Sequence, residues 1–359
     1  MFLAIFIAFM SLIGLLALHE FGHLILAKLF GVKVEEFGIG YPPRLFGKKI
    51  GETIYSINLL PFGAFVRLPG EIEKNEDPRS FSAQPVGKRI LIAFGGVLSF
   101  WIIAAILFSI VFSLGAPISV GDEENSGLKD PKVQITGITA GSPAEEAGLR
   151  AGDTIKQFSI FNFQFSITKV KEVQELTEQY KGKELILTME RGKETFDVKL
   201  VPRVSPPKGE GPMGISLVRT AIKSYPWYQA PWQGIGATIN LTGAIIRGYG
   251  QAIANLFKGL PAEGELVGPV GIFHLFTQAF QMGINYFLNF VGMIAIYIAI
   301  FNVLPIPSVD GGKLLFLGIE AVRKRSVSEK TEQNITAICF GLLIILMVLV
   351  TIKDIAKLF

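Results

Sequence analysis

The chain predicts a polytopic α-helical membrane protein with four transmembrane helices and an α+β domain carried outside the bilayer between the second and third. Three observations carry this reading. Half of the 359 residues are hydrophobic and only 18% are charged, with a mean hydropathy of +0.46, a balance foreign to soluble chains. A span needs about 20 apolar residues, and uncharged runs of that order occur at 1–18, 90–121, 266–309 and 335–352. Between the second and third runs lies a polar stretch, 122–265, in which strand and helix periodicities alternate.

The first transmembrane segment covers 1–30. It has neither the basic flank nor the small-residue cleavage site of a signal peptide, so it is read as retained. The second covers 90–115. The third run is too long for a single crossing. It divides into a span at 283–309 and a separate interfacial or re-entrant piece at 266–282. The fourth span is 335–359, and the only cysteine, Cys339, lies in it, which leaves neither a disulfide nor a cysteine-rich metal site. Nine Lys and Arg fall within 31–89 and five within 310–334. Such loops stay in the cytoplasm, so both termini and the long polar segment are expected outside it, across the inner (cytoplasmic) membrane. No lysine-rich, aromatic-interleaved patch suggests nucleic acid.

Within the polar segment, KVQITGI (132–138) reads as a strand, TKVKEVQELTEQY (168–180) as an amphipathic helix, and ELILTMERGKETFDVKLVPRV (184–204) as a hairpin turning at Arg191 and Gly192. The intervening ITAGSPAEEAGLRAGDTI resembles the PDZ pattern, so 122–204 is expected to be a PDZ domain. Such domains bind peptide ends by strand addition. Residues 205–265 hold a linker, SPPKGEGP, and then apolar residues at near-helical spacing interrupted by Arg247 and Lys258. They read as one or two amphipathic helices lying on the membrane, with a fifth span as the alternative.

Two histidines and a glutamate within five positions of an apolar helix require a reason, because an ionisable group at mid-bilayer costs roughly 2.5–3.5 kcal/mol on insertion scales. His19 and His23 are four apart and share a helix face, with Glu20 beside them. This is the HExxH pattern, in which two imidazoles hold zinc and the carboxylate serves as general base. A catalytic zinc needs a third protein ligand. Asp310, in FNVLPIPSVDGG, follows an uncharged run where Pro305 and Pro307 break the helix. It is either that ligand or an acidic residue at the water boundary. His274, alone among Phe and Leu, is the rival ligand.

HEFGH in the first span, N-x-x-P-x-P-x-x-D-G in the third and a PDZ-like segment between the second and third together resemble the site-2 protease family of intramembrane zinc proteases, of the regulator-of-sigma-E type, over essentially the whole chain. The resemblance implies zinc held by His19, His23 and Asp310, Glu20 as catalytic base, and Asn302 as a substrate-binding amide. It also implies that ETIYSINLLPFGAFVRLPGE (52–71), within the cytoplasmic loop 31–89, is a membrane-associated β-hairpin. Ile57 and Val66 flank its Pro61-Phe62-Gly63 turn and are expected to hold substrate as an added strand. The implied substrates are transmembrane segments of single-span proteins, either anti-sigma factors already shortened by another protease or remnant signal peptides. Two departures are evident: many members carry G-P-x-x-N in the second span, whereas Gly96 and Ser99 stand at the proline and asparagine positions here, and a single PDZ domain is expected where the enterobacterial type has two. The alternative function is a non-catalytic PDZ-bearing receptor with a structural zinc.

Overall fold

The computed structural model describes residues 2–356 except 72, 74, 125, 126, 161, 162, 193, 208 and 260–266. The expected boundary at 265/266 lies outside the described residues. In chain order the elements are α1 (Phe2–Leu29), β1 (Glu36–Ile50), β2 (Thr53–Arg67), α2 (Val86–Leu114), β3 (Ala116–Ser119), β4 (Lys129–Ile138) and α3 (Pro143–Glu146). Then come β5 (Thr154–Ile160), β6 (Phe163–Ser166), α4 (Val170–Gln179), β7 (Leu185–Arg191), β8 (Glu194–Leu200) and β9 (Ile215–Lys223). The chain finishes with α5 (Ala230–Phe257), α6 (Pro269–Met282), α7 (Ile284–Val303), α8 (Asp310–Arg323) and α9 (Glu329–Ala356). Four of these helices, α1, α2, α7 and α9, are long and apolar enough to cross a membrane. The chain is a polytopic membrane protein with a sheet-rich part.

Two compact units are formed: 1–109, 231–277 and 288–359 make one, and 110–230 with 278–287 the other. In the first, α1 and α2 approach closely because their facing residues are small. A Cβ at Gly22 would fall 2.5 Å from the Gly95 carbonyl oxygen and closer still to Ser99 Oγ. Such small-residue contacts are how helices associate in lipid. The helix α5 is a single run of 28 residues rather than a pair, and it is not among the candidate spans.

The β1–β2 pair is built differently from the expected 52–71 hairpin. The chain reverses at Gly51 (φ +63°), so that Phe46 to Ile50 pair with Ile57 to Thr53. Residues Glu36 to Ile39 pair on one side with Ile54 to Ile57 and on the other with Arg67 to Ala64. The two arms flanking Pro61–Gly63 therefore do not pair with each other, because Glu36–Ile39 runs between them. Glu36 explains why that segment is held there. Its side chain is buried, accepts from Ser56 Oγ at 2.7 Å and Arg44 Nε at 3.0 Å, and has Arg67 at 3.6 Å. Burial alone would raise its pKa, but these donors and cations hold it below the usual carboxylate range.

The second unit is a seven-stranded sheet in the order β3-β9-β4-β5-β7-β8, with β6 paired to β5. Its core is Val133, Ile135, Ile155, Phe158, Leu185, Leu187 and Met189, closed by Val173 of α4. The expected strand, helix and hairpin lie in β4, α4 and β7–β8. The sheet does not end at 204, however. Residues Ile215–Lys223 return as β9 beside β4, and β3, directly after α2, pairs with β9.

Candidate metal centre

His19 and His23 project from one face of α1, as their spacing requires, and both are buried. The third member arrives from a helix break. After α7 ends at Val303, the proline-containing loop makes tight turns, with Ile306 N–H donating to the Leu304 carbonyl at 2.6 Å and Ser308 N–H to the Ile306 carbonyl at 2.8 Å. Helix α8 then starts with Asp310 in its first turn, where the helix dipole favours an anion. The loop folds back over Gly311 and Gly312. A Cβ at Gly312 would fall 2.5 Å from the Ile306 carbonyl oxygen.

Asp310 Oδ2 lies 3.1 Å from His19 Nε2 and 3.4 Å from His23 Nε2. Among the described residues these three form the one group of His, Cys, Asp or Glu whose ligand atoms converge, all within 4.8 Å. Two atoms each about 2.0–2.1 Å from a tetrahedral zinc sit roughly 3.3 Å apart, so the spacing suits that ion. Asp310 Oδ2 is also buried with no hydrogen-bond partner, an orphan that a metal would satisfy. His23 Nδ1 is 2.8 Å from the Ile92 carbonyl of α2. Nδ1–H donates there, leaving the Nε2 lone pair directed at the site. His19 is stacked on Phe100 with ring centroids 4.7 Å apart.

The departure at Gly96 and Ser99 has a local account. A Cβ at Gly96 would fall 2.5 Å from His23 Cε1 and nearer still to Nε2. Ser99 Oγ donates to the Gly95 carbonyl at 3.0 Å, inside its own helix. The second span thus supports the site through the Ile92 carbonyl and through close packing.

Glu20 is half-buried, and its Oε2 accepts from the backbone N–H of Val66 at 3.1 Å. Val66 is therefore at the site. Ile57 is not placed there: its strand is flanked by Ile39 on one side and Phe46 on the other. Asn302 is half-buried on α7, and its Nδ2 donates to the Ile298 carbonyl one turn back at 2.9 Å. His274, on α6, stands outside the convergent group and is exposed.

Two ion pairs fix α8 and were not singled out from the sequence. Lys313 pairs with Glu71 beyond the end of β2, and Arg89 of α2 makes a two-pronged contact with Glu320 at 2.5 and 3.2 Å. Burial disfavours the Lys313 cation, but the facing Glu71 carboxylate outweighs this and raises its pKa. A lysine three positions after Asp310 was the available signal.

Residues 7–346 match peptidase family M50. The chain belongs to this family. A Clostridium perfringens protein is 32% identical over 98% of each chain. The zinc metalloprotease RasP of Oceanobacillus iheyensis is 27% identical over 98% of this chain and 99% of its own, and the regulator of sigma-W protease RasP of Bacillus subtilis is 27% identical over the whole of both. This M50 peptidase is accordingly a zinc metalloprotease of the site-2 protease type, set among apolar helices.

Proposed function

We propose that the chain cleaves transmembrane segments of single-span membrane proteins, with zinc held by His19, His23 and Asp310 and with Glu20 as general base. The observation that carries this is the convergence of the three ligand atoms beside Glu20, with both histidines on an apolar helix. Bound there, zinc supplies Lewis acidity and makes water a competent nucleophile near neutral pH. Glu20 would take a proton from the attacking water and return it to the departing amine. The intact base and the three-residue ligand set argue against a purely structural zinc in a non-catalytic receptor, since a structural site has no need of a base and closes all four positions with protein ligands.

A helical peptide bond has its polar groups internally paired, and unwinding it in lipid leaves groups that each cost several kcal/mol unless paired again. The edge of β2 supplies partners. Glu35 N–H donates to the Arg67 carbonyl, so Arg67 faces inward to the sheet, while Val66 N–H faces outward to Glu20. Ala64 and Val66 thus present the free edge. A substrate strand added there takes the Val66 N–H with its own carbonyl and releases Glu20 for proton transfer. Asn302 gives up its intrahelical bond to contact the unwound backbone.

The seven-stranded unit is read as a PDZ domain that selects substrates by their freed ends. Support comes from the GSPAEEAGL segment around α3 and from the packing of α4 on the sheet. The distribution of Lys and Arg supports cytoplasmic loops at 31–89 and 310–334, with the termini and the PDZ domain outside and the metal toward the inner leaflet. The names of the RasP relatives favour a membrane-bound anti-sigma factor over remnant signal peptides as substrate. The test is co-expression with truncated single-span proteins, comparing the native chain with Glu20→Gln and mapping the cuts. Cuts confined to soluble loops, or unchanged in Glu20→Gln, refute the proposal.

A further inference from the structure

Helix α2 seats the two histidines along one stripe of its surface. Ile92, Gly96 and Phe100 follow one another at intervals of four, the spacing that also puts His19 and His23 on one face of α1. His23 meets Ile92 and Gly96, and His19 meets Phe100, so the two helices cross the site in opposite directions.

The seats differ in kind. His23 lies against the bare backbone of Gly96, and its Nδ1 is 2.8 Å from the Ile92 carbonyl. His19 has no such partner. Its Nε2 is turned to Asp310 at 3.1 Å, so in a metal-binding imidazole the proton belongs on Nδ1, and Nδ1 is enclosed without a hydrogen bond. Ser99, next to Phe100, supplies no acceptor there: its hydroxyl donates to the Gly95 carbonyl at 3.0 Å and packs on Gly22. What covers the His19 imidazole is the Phe100 ring, with centroids 4.7 Å apart and planes 17° from parallel. Phe100 is itself fully buried, so it can neither swing aside nor reach a substrate.

We infer that Phe100 is a positioning residue for His19, fixing by ring stacking the imidazole orientation that a hydrogen bond fixes in His23. The inference rests on the reading of His19 as a zinc ligand. A ligand histidine ordinarily gives its second N–H to an oxygen, and losing that partner weakens metal binding by about 10–100-fold. The His19 ring can turn about its own bond without breaking any hydrogen bond at Nδ1, so packing alone opposes the turn. A stacked aromatic face opposes it more strongly than an aliphatic group of the same burial. Without that face the empty site samples orientations in which Nε2 is withdrawn from Asp310, and those must be suppressed each time zinc binds.

The test is the zinc affinity of the full chain in detergent micelles, measured by competition with a chromogenic chelator, with thermal melting beside it. Phe100→Leu should bind zinc at least about tenfold more weakly, and at saturating zinc its KM for a single-span substrate should be unchanged. Phe108→Leu is the control. It makes the same replacement at a buried ring of the same helix, one that packs on Gly292 of α7, and it should lower the melting temperature comparably while leaving zinc affinity as in the native chain. An affinity loss in Phe100→Leu no greater than in Phe108→Leu overturns the positioning role. If Phe100→Leu does not fold, nuclear magnetic resonance of the native, zinc-loaded chain with isotope-labelled histidine decides. His23 should then show a hydrogen-bonded Nδ1 proton, and His19 one that is not hydrogen-bonded and is moved upfield by the Phe100 ring; two equally hydrogen-bonded protons overturn the inference. His19→Ala separates it from the reading beneath it. Full zinc binding in that variant brings down the ligand assignment, whereas lost zinc there with native affinity in Phe100→Leu brings down the stack alone.

Discussion

Gly311 offers the sharpest test of how the third ligand is positioned. It follows Asp310 directly, and a Cβ there would fall 2.7 Å from the carbonyl carbons of Leu304 and Val303, and closer to the Leu304 oxygen. Carbon atoms rest at about 3.5–4.0 Å, so Gly311→Ala must part backbone from backbone by roughly 0.8 Å or more. Both partners are main chain, so no side-chain rotation relieves the clash. Metal–ligand distances tolerate only about 0.2 Å, and a 1 Å misplacement near a reacting centre costs about 10²-fold. Overpacking itself costs about 1–3 kcal/mol. Gly311→Ala should therefore remain folded with a lowered melting temperature, lose zinc affinity and cleave about 100-fold more slowly. Gly318, on the same helix with nothing within 4 Å of its would-be Cβ, is the control. There alanine should leave turnover unchanged and add up to about 1 kcal/mol of stability. The assays are zinc content of purified protein, thermal melting and cleavage of a single-span substrate. Wild-type zinc and turnover in Gly311→Ala would refute the claim that this glycine sets the position of Asp310.

Four further outcomes follow from the site. Glu20→Gln should keep its zinc and its fold, since a carboxamide oxygen still accepts from Val66, yet lose about 10²–10⁴ in turnover; near-native cleavage would remove Glu20 from the base role. Asp310→Ala should lose most of its metal by elemental analysis, whereas His274→Ala should keep it; the reverse result would promote His274. Glu36 is held ionised in the fold, so its stabilisation is complete above the ordinary value of about 4.3 and is lost as pH falls through the depressed folded value. Amide protection in β1 and β2 should accordingly fall below about pH 4, and Glu36→Gln should flatten that dependence. Asn302→Ala should retain zinc and cleave at least tenfold more slowly, whereas lost stability with normal turnover would mark it as structural.

What the sequence revealed and what it hid divide along the range of the interactions. The pairing of His19 with His23 is local, set by helix spacing, and the four spans follow from hydropathy over single segments. The helix α4 and the β7–β8 hairpin are local as well. By contrast, nothing between Glu36 and Ile39 announces that they will pass between two later segments. That arrangement depends on Glu36 finding Ser56 and Arg44, contacts visible only after folding. The strand β9 was missed for a related reason: it pairs with β4, some eighty residues earlier, and carries no hairpin turn to mark it. Asp310 was identifiable as a carboxylate in need of a cation, but its approach to the histidines depends on a loop whose turns two prolines only partly specify.

The position of Asp310 depends finally on the rotation of α8 about its own axis. At about 100° per residue, positions 310, 313 and 320 fall on one face, and these are Asp310, Lys313 and Glu320. Each meets an opposite or complementary partner from a different segment: the histidines on α1, Glu71 after β2, and Arg89 on α2. These partly buried pairs add little net stability, because desolvation offsets the attraction. Removing one partner, however, leaves the other charge uncompensated in a half-buried position. A turn of α8 by a single residue would break both ion pairs and withdraw the carboxylate from the metal together. The charges therefore select one rotation among many that the apolar packing of α8 alone would tolerate. The same contact between Lys313 and Glu71 ties that rotation to the end of β2, the strand whose Val66 N–H reaches Glu20, so the third ligand, the base and the substrate edge share one mechanical reference.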